Sequence, residues 1–216
     1  DYGAKVVGVS LSQEQHTVAR ERARAAGLQD QVEFRLTDYR QVRETFDRIV
    51  SVGMFEHVGA PQYREYFSHV RRMLKPDGVA LIHTIGRSTP PGMTSPCITK
   101  SIFPGAYAHA RAEMILAIER EELCTTDIEV WRLHYAQTLR HWHNRFMANI
   151  EPARAIYDER FCRMWRYYLI ACELTFRHKH QVVFQFQLSH RQDAVPLTRD
   201  YLYTAALRDD VPSSAD

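Results

Sequence analysis

Short apolar runs alternate with longer amphipathic segments along the first 86 residues. The runs rich in β-branched residues predict strands at residues 6–10, 32–36, 47–52 and 79–85. Between the first two, Ser12-Gln13-Glu14-Gln15 fits a helix capping box, and Gly27 is a typical residue just past a helix end. Pro61 suits the first turn of a second helix, which is predicted to end at Lys75. Strands joined by connections of this length predict a parallel, doubly wound α/β sheet.

The rest of the chain contains longer helical patterns and two more strands. Residues 87–100 are rich in Pro, Ser, Thr and Gly, and they are interpreted as a mobile lid or crossover loop. Helices are predicted over residues 108–121, 135–150 and 153–178, and strands over 126–133 and 182–188. No internal boundary is visible, so residues 1–192 are predicted to form one partial catalytic domain. Residues 193–216 are predicted to be a C-terminal tail, disordered from residue 209.

Net charge, cysteine spacing and histidine spacing bear on whether the protein binds nucleic acid or a metal. A formal net charge of +2 carries no global nucleic-acid signature. Basic residues do cluster beside aromatic ones at 140–145, 160–166 and 177–180, so this region could contact lipid headgroups or nucleic acid, or it could be a solvated face. The cysteines are scattered without a C-x-x-C pair, which favours reduced thiols in a cytoplasm and argues against a zinc site. The histidine pairs are spaced i, i+2, so their side chains diverge on a helix and are not expected to bind a metal together.

The chain shows no feature of a membrane-spanning or exported protein. No apolar run approaches the ~18 residues that would span a bilayer. The first residues do not have the layout of a signal peptide. A soluble or peripheral protein is therefore expected.

Polar chemistry is concentrated directly after the strand at residues 47–52. Gly53 ends this strand, and Phe55, Glu56 and His57 follow before Gly59. Ligands of open α/β sheets bind outside the carboxyl ends of the strands, so an acid and an imidazole here suggest acid/base chemistry on an apolar substrate. The alternative is an N-cap acid and a surface histidine on an ordinary loop.

Several stretches together carry a family resemblance. They are GVSLSQEQ (8–15), TDYRQV (37–42), FDRIVSVGMFEHVG (46–59), LKPDGVALIHTIG (74–86), IFPGAY (102–107), DIEVWRLHYAQTLRHW (127–142), YDERFCRMWRYYLIAC (157–172) and VVFQFQLS (182–189). In this order the chain resembles the catalytic domain of cyclopropane-fatty-acyl-phospholipid synthases, which are S-adenosylmethionine-dependent methyltransferases. The related mycolic-acid methyltransferases share the outline.

The resemblance implies a Rossmann-like class I methyltransferase sheet with inserted and C-terminal helices over a lipid pocket. The family's first strand, its D-x-G-C-G-W-G loop and its N-terminal lipid-binding region have no counterpart here. An N-terminally incomplete chain, with reduced affinity for the cofactor, is therefore expected.

The resemblance also assigns residues to the S-adenosylmethionine site. Ser10, Leu11 and Gln15 would lie on the ribose and adenine side, and Asp38 and Tyr39 would hold the adenine through an acceptor and a stacking ring. For Ser10 and Gln15, the helix cap is the structural alternative.

The reaction implied is transfer of a methylene to the cis double bond of an unsaturated phospholipid, through a carbocation that a bound bicarbonate deprotonates. The bicarbonate ligands would be Glu56, His83, the backbone of Ile85, and Tyr135. Judged without the resemblance, His83 could be a satisfied core residue and Tyr135 part of a helix start. His57 has no assigned role.

Four aromatic residues are candidates for the acyl pocket, namely Phe55, Tyr107, Trp165 and Tyr168. The expected partner is unsaturated phospholipid in a membrane rather than nucleic acid. The expected location is cytoplasmic and peripheral on the inner membrane face, and the missing N-terminal region would contribute to any homodimer. Two alternatives remain: a methyl-branching lipid methyltransferase of the mycolic-acid type, and an inactive fragment that binds lipid or a partner.

Overall fold

The first two predicted strands form a parallel pair within a small unit of their own. The computed structural model describes residues 3–203, which divide into a unit of residues 3–45 and a unit of residues 46–203. The first unit contains β1 (Val6–Ser10), α1 (Gln13–Ala25) and β2 (Val32–Leu36). Strands β1 and β2 pair in parallel from Val6 opposite Val32 to Ser10 opposite Leu36. The sequence placed both strands correctly, but the division at residue 45 was not predicted.

The second unit is a mixed sheet with helices. In chain order it comprises β3 (Phe46–Val52), α2 (Tyr63–Met73), β4 (Leu74–Arg87), α3 (Pro96–Ser101), β5 (His109–Ala110), α4 (Arg111–Arg120), β6 (Cys124–Trp131), α5 (His134–Ala148), α6 (Ile150–Ile156), α7 (Glu159–His178) and β7 (Gln181–Ser189). The strand order is β3-β4-β7-β6, with β5 beside the end of β4. Strand β3 is parallel to β4, whereas β7 is antiparallel to both β4 and β6.

One edge of this sheet agrees with the predicted loss of a strand. Within the described residues, β3 pairs with β4 alone. Val50 and Val52 on β3 are largely exposed, although β-branched residues of this kind normally pack in a sheet interior. The exposed edge of β3 therefore agrees with the expectation of a sheet whose neighbouring strand is not among the described residues.

Two element boundaries differ from the sequence prediction. Strand β4 begins at Leu74 rather than near residue 79, because Leu74 already pairs with Phe46 across an irregularity in the β3–β4 ladder. The single helix predicted over residues 153–178 is two helices, α6 and α7. The break lies at Asp158, whose side chain accepts a hydrogen bond from Phe161 N at 2.6 Å and so caps α7.

The predicted tail begins with an ordered segment. Residues Arg199–Leu202 form a short 3-10 turn. Tyr201 donates a hydrogen bond to Gln187 Oε1 at 2.6 Å, and Arg199 pairs with Asp127 at 2.8 Å, so this segment packs on β6 and β7. The disorder predicted from residue 209 concerns residues outside the described part of the chain.

The two faces of the sheet have different surroundings. Along β4, Ile82 and Thr84 are completely buried on one face, while His83 and Ile85 point to the other and are only half-buried. On the second face, Ile85 and Val183 pack against residues of α5 and α7. Helices α5 and α7 therefore cover the face that carries His83. No helix within residues 3–203 is long and apolar enough to span a bilayer.

A buried carboxylate ties α5 to α7. Glu173 on α7 is 2% exposed, and it pairs with Arg140 of α5 and Arg177 of its own helix, each at 2.8 Å. Burial alone would raise the pKa of Glu173, but Arg177 and Arg140 bring it below its ordinary value. The carboxylate is therefore ionised and holds the two covering helices together.

Replacing Glu173 by glutamine should lower the free energy of unfolding by about 1–2 kcal/mol, because the charged acceptor is lost while both arginines can still reach water. Urea denaturation measures this change. The control is Glu119→Gln on the exposed surface of α4, which should stay within about 0.5 kcal/mol of the wild type. Equal stabilities for the two variants would show that the ion pairs contribute nothing.

Candidate active site

Glu56 lies in a short 3-10 turn shortly after β3, and its side chain accepts a hydrogen bond from the backbone of β4. Strand β3 ends at Val52, and the N–H of Gly53, which has a φ of +66°, donates to His83 O at 3.0 Å. One step further along β4, Ile85 N donates to Glu56 Oε1 at 2.7 Å. The carboxylate thus replaces the carbonyl that a longer β3 would have offered.

The second carboxylate oxygen of Glu56 has no such partner. Oε2 is buried and makes no hydrogen bond to any described residue. A buried carboxylate oxygen without a donor is costly, so this atom is suited to accept a hydrogen bond from a bound molecule.

His83 faces the same region from β4. Its Nδ1 lies 3.0 Å from Nε2 of Gln185, its antiparallel neighbour on β7, and its ring meets Trp131 edge-on at 5.5 Å. Burial lowers the pKa of His83, and the nearby Glu56 carboxylate offsets part of that shift. The imidazole is therefore neutral at pH 7, with Nδ1 engaged by Gln185.

Tyr135 approaches from the first turn of α5. Its ring packs against Trp142 at 5.8 Å and Phe176 at 5.2 Å. Burial raises the pKa of Tyr135, and Glu56 and Cys172 raise it further. The hydroxyl stays protonated and can donate, and the predicted set of Glu56, His83, Ile85 and Tyr135 lies together in the structure.

His83 and Tyr135 open onto a cavity of about 380 Å³. This volume is within the usual range for a small-molecule pocket. The rest of the lining comes from α5, β6 and β7: Trp131, His134, Gln137, Thr138, His141 and Val183. Among residues 3–203, no group of histidine, cysteine or acidic side chains has the arrangement of a metal site.

A larger cavity, of about 660 Å³, lies in the first unit between α1 and β2. Apolar side chains such as Val18, Leu28 and Phe34 line most of it, and Gln15 is the one predicted site residue there. Size alone would favour this cavity, but the titratable groups that chemistry requires lie at the smaller one. The cavity at His83 and Tyr135 is therefore the candidate reaction site.

The predicted acyl-pocket residues divide into two groups. Trp165 and Tyr168 pack with the cluster between α5 and α7 that also contacts Tyr135. Phe55, in contrast, is completely buried, with its ring stacked on Tyr63 at 4.5 Å, and it lines neither of the two cavities described above. Tyr107 donates its hydroxyl to Glu113 at 3.1 Å and is held against the start of α4.

Gln185 is the site residue that sequence reasoning missed. It lies in the alternating run VVFQFQLS, in which Gln185 and Gln187 occupy the same face of β7. A polar residue at such a position within an otherwise buried strand was the available signal. Its partner could not be inferred, because the pairing of β7 with β4 joins residues about a hundred positions apart.

The predicted cofactor residues lie at the carboxyl edge of the β1–β2 pair. Ser10 Oγ donates to Gln15 Oε1 at 2.9 Å and accepts from Ser12 N at 3.1 Å. The predicted capping box is therefore half formed: Ser12 caps α1 by accepting from Gln15 N at 3.2 Å, whereas the Gln15 side chain turns to Ser10. Leu11 is exposed beside them.

Asp38 and Tyr39 follow β2 at the same edge, since Thr37 N donates to Ser10 O at 3.0 Å. The Asp38 carboxylate is already engaged, with Arg40 Nη2 at 2.6 Å. An adenine amino group would share this acceptor with Arg40.

Comparisons with known proteins show the family to which the chain belongs. The family model described as mycolic acid cyclopropane synthetase matches residues 1–186. The cyclopropane-fatty-acyl-phospholipid synthase of Escherichia coli (strain K12) is 42% identical over 188 residues, which are 85% of this chain and 48% of that protein. The tuberculostearic acid methyltransferase of Mycobacterium tuberculosis is 37% identical over 192 residues, 86% of this chain and 45% of that protein. The chain thus spans about half the length of the curated relatives it matches.

Among solved structures, the mycolic acid cyclopropane synthase CmaA1 complexed with SAH and CTAB superposes with a TM-score of 0.78. It is 29% identical, and the match covers 85% of this chain and 69% of that one.

Proposed function

The chain belongs to the mycolic acid cyclopropane synthetase family, and from that premise we propose that it is the catalytic part of an S-adenosylmethionine-dependent enzyme that acts on lipid acyl chains. The proposed reaction adds a methylene to the cis double bond of an unsaturated phospholipid and forms a cyclopropane. The observation that carries the proposal is that His83 and Tyr135 line one cavity, close to the aromatic helices α5 and α7, while the Glu56 carboxylate bonds to Ile85 N, two residues after His83.

The first unit offers suitable groups for the nucleoside half of S-adenosylmethionine, which supplies the methyl group when bound. Ser10 and Gln15 bond to each other at an exposed edge, and both can exchange that bond for ribose hydroxyls. Asp38 offers an acceptor for the adenine amino group, Tyr39 a ring to stack on it, and Leu11 an exposed apolar contact.

The free oxygen of Glu56 fits a bound bicarbonate, which would supply the base that removes a proton from the new methyl group. Oε2 can accept from its hydroxyl, while the Tyr135 hydroxyl and an N–H of His83 can donate to its oxygens. Ile85 N donates to Glu56, so we assign Ile85 to positioning this carboxylate rather than to holding the anion directly.

The surroundings suit a reaction that passes through a carbocation. An alkene is a weak nucleophile, so water must be excluded and positive charge must be stabilised without a competing nucleophile. The faces of Tyr135, Phe176 and Trp131 provide aromatic quadrupoles at the site. Helices α5 and α7 shield them from solvent.

A second candidate function shares the methyl transfer and differs in the fate of the cation. The 37% identity to a tuberculostearic acid methyltransferase favours it: the product would be a methyl-branched acyl chain rather than a ring. Both functions use the same groups of this chain, so the product decides between them.

A lipid mass-spectrometric assay tests the proposal. The chain would be mixed with methyl-labelled S-adenosylmethionine and vesicles of unsaturated phospholipid, both alone and fused behind the segment that precedes the matched region in the Escherichia coli relative. A cyclopropane adds CH₂ to the alkene and resists mild hydrogenation. A methyl-branched chain whose cation loses a proton at another carbon also adds CH₂, but it keeps a double bond that hydrogenation saturates. Absence of labelled lipid with both forms would refute both functions.

Removing the Gln185 side chain should slow catalysis. Gln185→Leu leaves Nδ1 of His83 without its partner, so the ring loses its fixed tautomer and orientation. We expect kcat to fall about tenfold, the equivalent of one lost hydrogen bond of ~1.4 kcal/mol, with little change in KM.

The matched control is Gln187→Leu, at the next position on the same face of β7. Gln187 bonds to Thr126 and Tyr201, away from His83, so its loss should affect stability and leave kcat unchanged. Equal kcat values for the two variants would remove Gln185 from the site.

A further inference from the structure

Helix α7 presents two chemically different faces. Tyr168, Cys172 and Phe176 point inward and pack with the cluster beside Tyr135. On the opposite side, Tyr167, Ile170 and Leu174 are 59%, 36% and 48% exposed. At 100° per residue these three fall on one stripe with Arg163. One helix diameter, about 10 Å, separates this stripe from the buried cluster beside Tyr135.

Basic residues flank the exposed stripe. Arg160 and Arg166 lie on either side of Arg163, and neither has an ion-pair partner among residues 3–203. Arg163 itself reaches Glu159 only at 3.7 Å. The stripe therefore combines uncompensated positive charge with exposed apolar side chains.

The N-terminal end of the stripe leads toward the interior. Ile156 and Tyr157, at the break between α6 and α7, are strongly exposed. From Tyr157 a row of rings runs inward through Phe161 and Trp165 to the buried Tyr168, with centroid separations of 4.1, 5.9 and 5.0 Å. This row joins the exposed surface to the cluster around the reaction site.

We propose that the outer face of α7, with Ile156 and Tyr157, docks the protein on an anionic phospholipid bilayer. The proposal rests on the lipid substrate of the proposed function and names the surface that reaches it. Arginine stems can lie along acyl chains while their guanidinium groups stay among lipid phosphates, and Tyr, Ile and Leu side chains enter the boundary between headgroups and chains. Nucleic acid could pair with the arginine guanidinium groups, but it would leave the exposed side chains of Tyr167, Ile170 and Leu174 in water.

Sedimentation with vesicles tests the docking surface. Vesicles of palmitoyl-oleoyl phosphatidylglycerol should bind the chain, and vesicles of the neutral phosphatidylcholine should bind it far less. Added salt should weaken the binding, because part of it is electrostatic. The double variant Arg163→Glu/Arg166→Glu should bind the anionic vesicles at least tenfold more weakly.

The matched control is Arg20→Glu/Arg24→Glu on α1, whose side chains are also exposed and which changes the net charge by the same amount. It should bind like the wild type. Equal losses in both double variants would mean that net charge alone drives binding and would overturn the proposal. So would unchanged binding of the α7 variant, or self-association in place of vesicle binding.

A second variant tests the apolar part. Tyr167→Ser/Ile170→Ser keeps every charge and should also weaken binding to anionic vesicles; unchanged binding would exclude these side chains from the contact. Turnover of detergent-dispersed lipid separates this proposal from the proposed function. If the chain turns over dispersed lipid but the α7 variants bind vesicles normally, the docking proposal is refuted and the proposed reaction stands. If the chain binds vesicles through α7 but modifies no lipid, the proposed reaction is refuted and the docking surface stands.

Discussion

Replacing Glu56 by glutamine should lower turnover by about a hundredfold or more while the chain stays folded. Glutamine keeps the shape of the side chain and an oxygen that can still accept from Ile85 N, so the link to β4 survives. What it loses is the negative charge and the unpartnered acceptor at Oε2. Burial already disfavours protonation of His83 and ionisation of Tyr135, so neither can replace this charge.

The measurement combines turnover, its dependence on added bicarbonate, and the thermal midpoint, in whichever form of the chain makes labelled lipid. Glu65→Gln, on the exposed side of α2, is the control for loss of one carboxylate. We expect the Glu65 variant to behave as wild type and the Glu56 variant to lose its response to bicarbonate. Full activity of Glu56→Gln, with unchanged bicarbonate dependence, would remove Glu56 from the site.

The stability of the chain should fall between pH 6.5 and about 4 because of one buried histidine. His109 is completely buried, with its ring 4.8 Å from Phe55, and burial lowers its pKa from 6.5 to about 4. In this range the unfolded chain binds a proton that the folded chain excludes. The contribution of neutral His109 to the free energy of unfolding is fully present above pH 6.5. It decreases as the pH falls, and the loss reaches about 3 kcal/mol at pH 4.

Chemical denaturation at several pH values compares the wild type with His109→Leu, which fills a similar volume. The variant should lose about 3 kcal/mol less stability between pH 7 and pH 4. The comparison cancels the effects of protonated carboxylates, which both chains share. His178→Leu, which removes an exposed histidine, controls for the number of histidines. Identical pH dependence in wild type and His109→Leu would refute the assignment.

The sequence did not reveal which side chains at the end of the sheet are buried in the core. His109 carries no local signal, and its burial follows from the packing of β5 against β4 and of its ring against Phe55. The same packing explains the burial of Phe55. A large aromatic residue beside a candidate acid suggests a pocket, but here the ring faces Tyr63, Tyr66 and Phe67 and fills the core.

The sequence by itself determined the elements whose signals are local. The bounds of β1 and β2, the cap of α1 at Ser12 and the C′ glycine at Gly27 depend on residues within a few positions of one another, and all were predicted correctly. The family was also accessible, because ordered motifs along a chain identify a fold more specifically than any one motif.

Only the tertiary structure decided which atoms are engaged. The bonds from Ile85 N to Glu56 and from Gln185 to His83 join residues 29 and 102 positions apart. Strand pairing sets such contacts, and a shift by one residue would move each side chain to the opposite face. The inner and outer faces of α7 likewise follow from what packs against it, which no periodicity within the helix can specify alone.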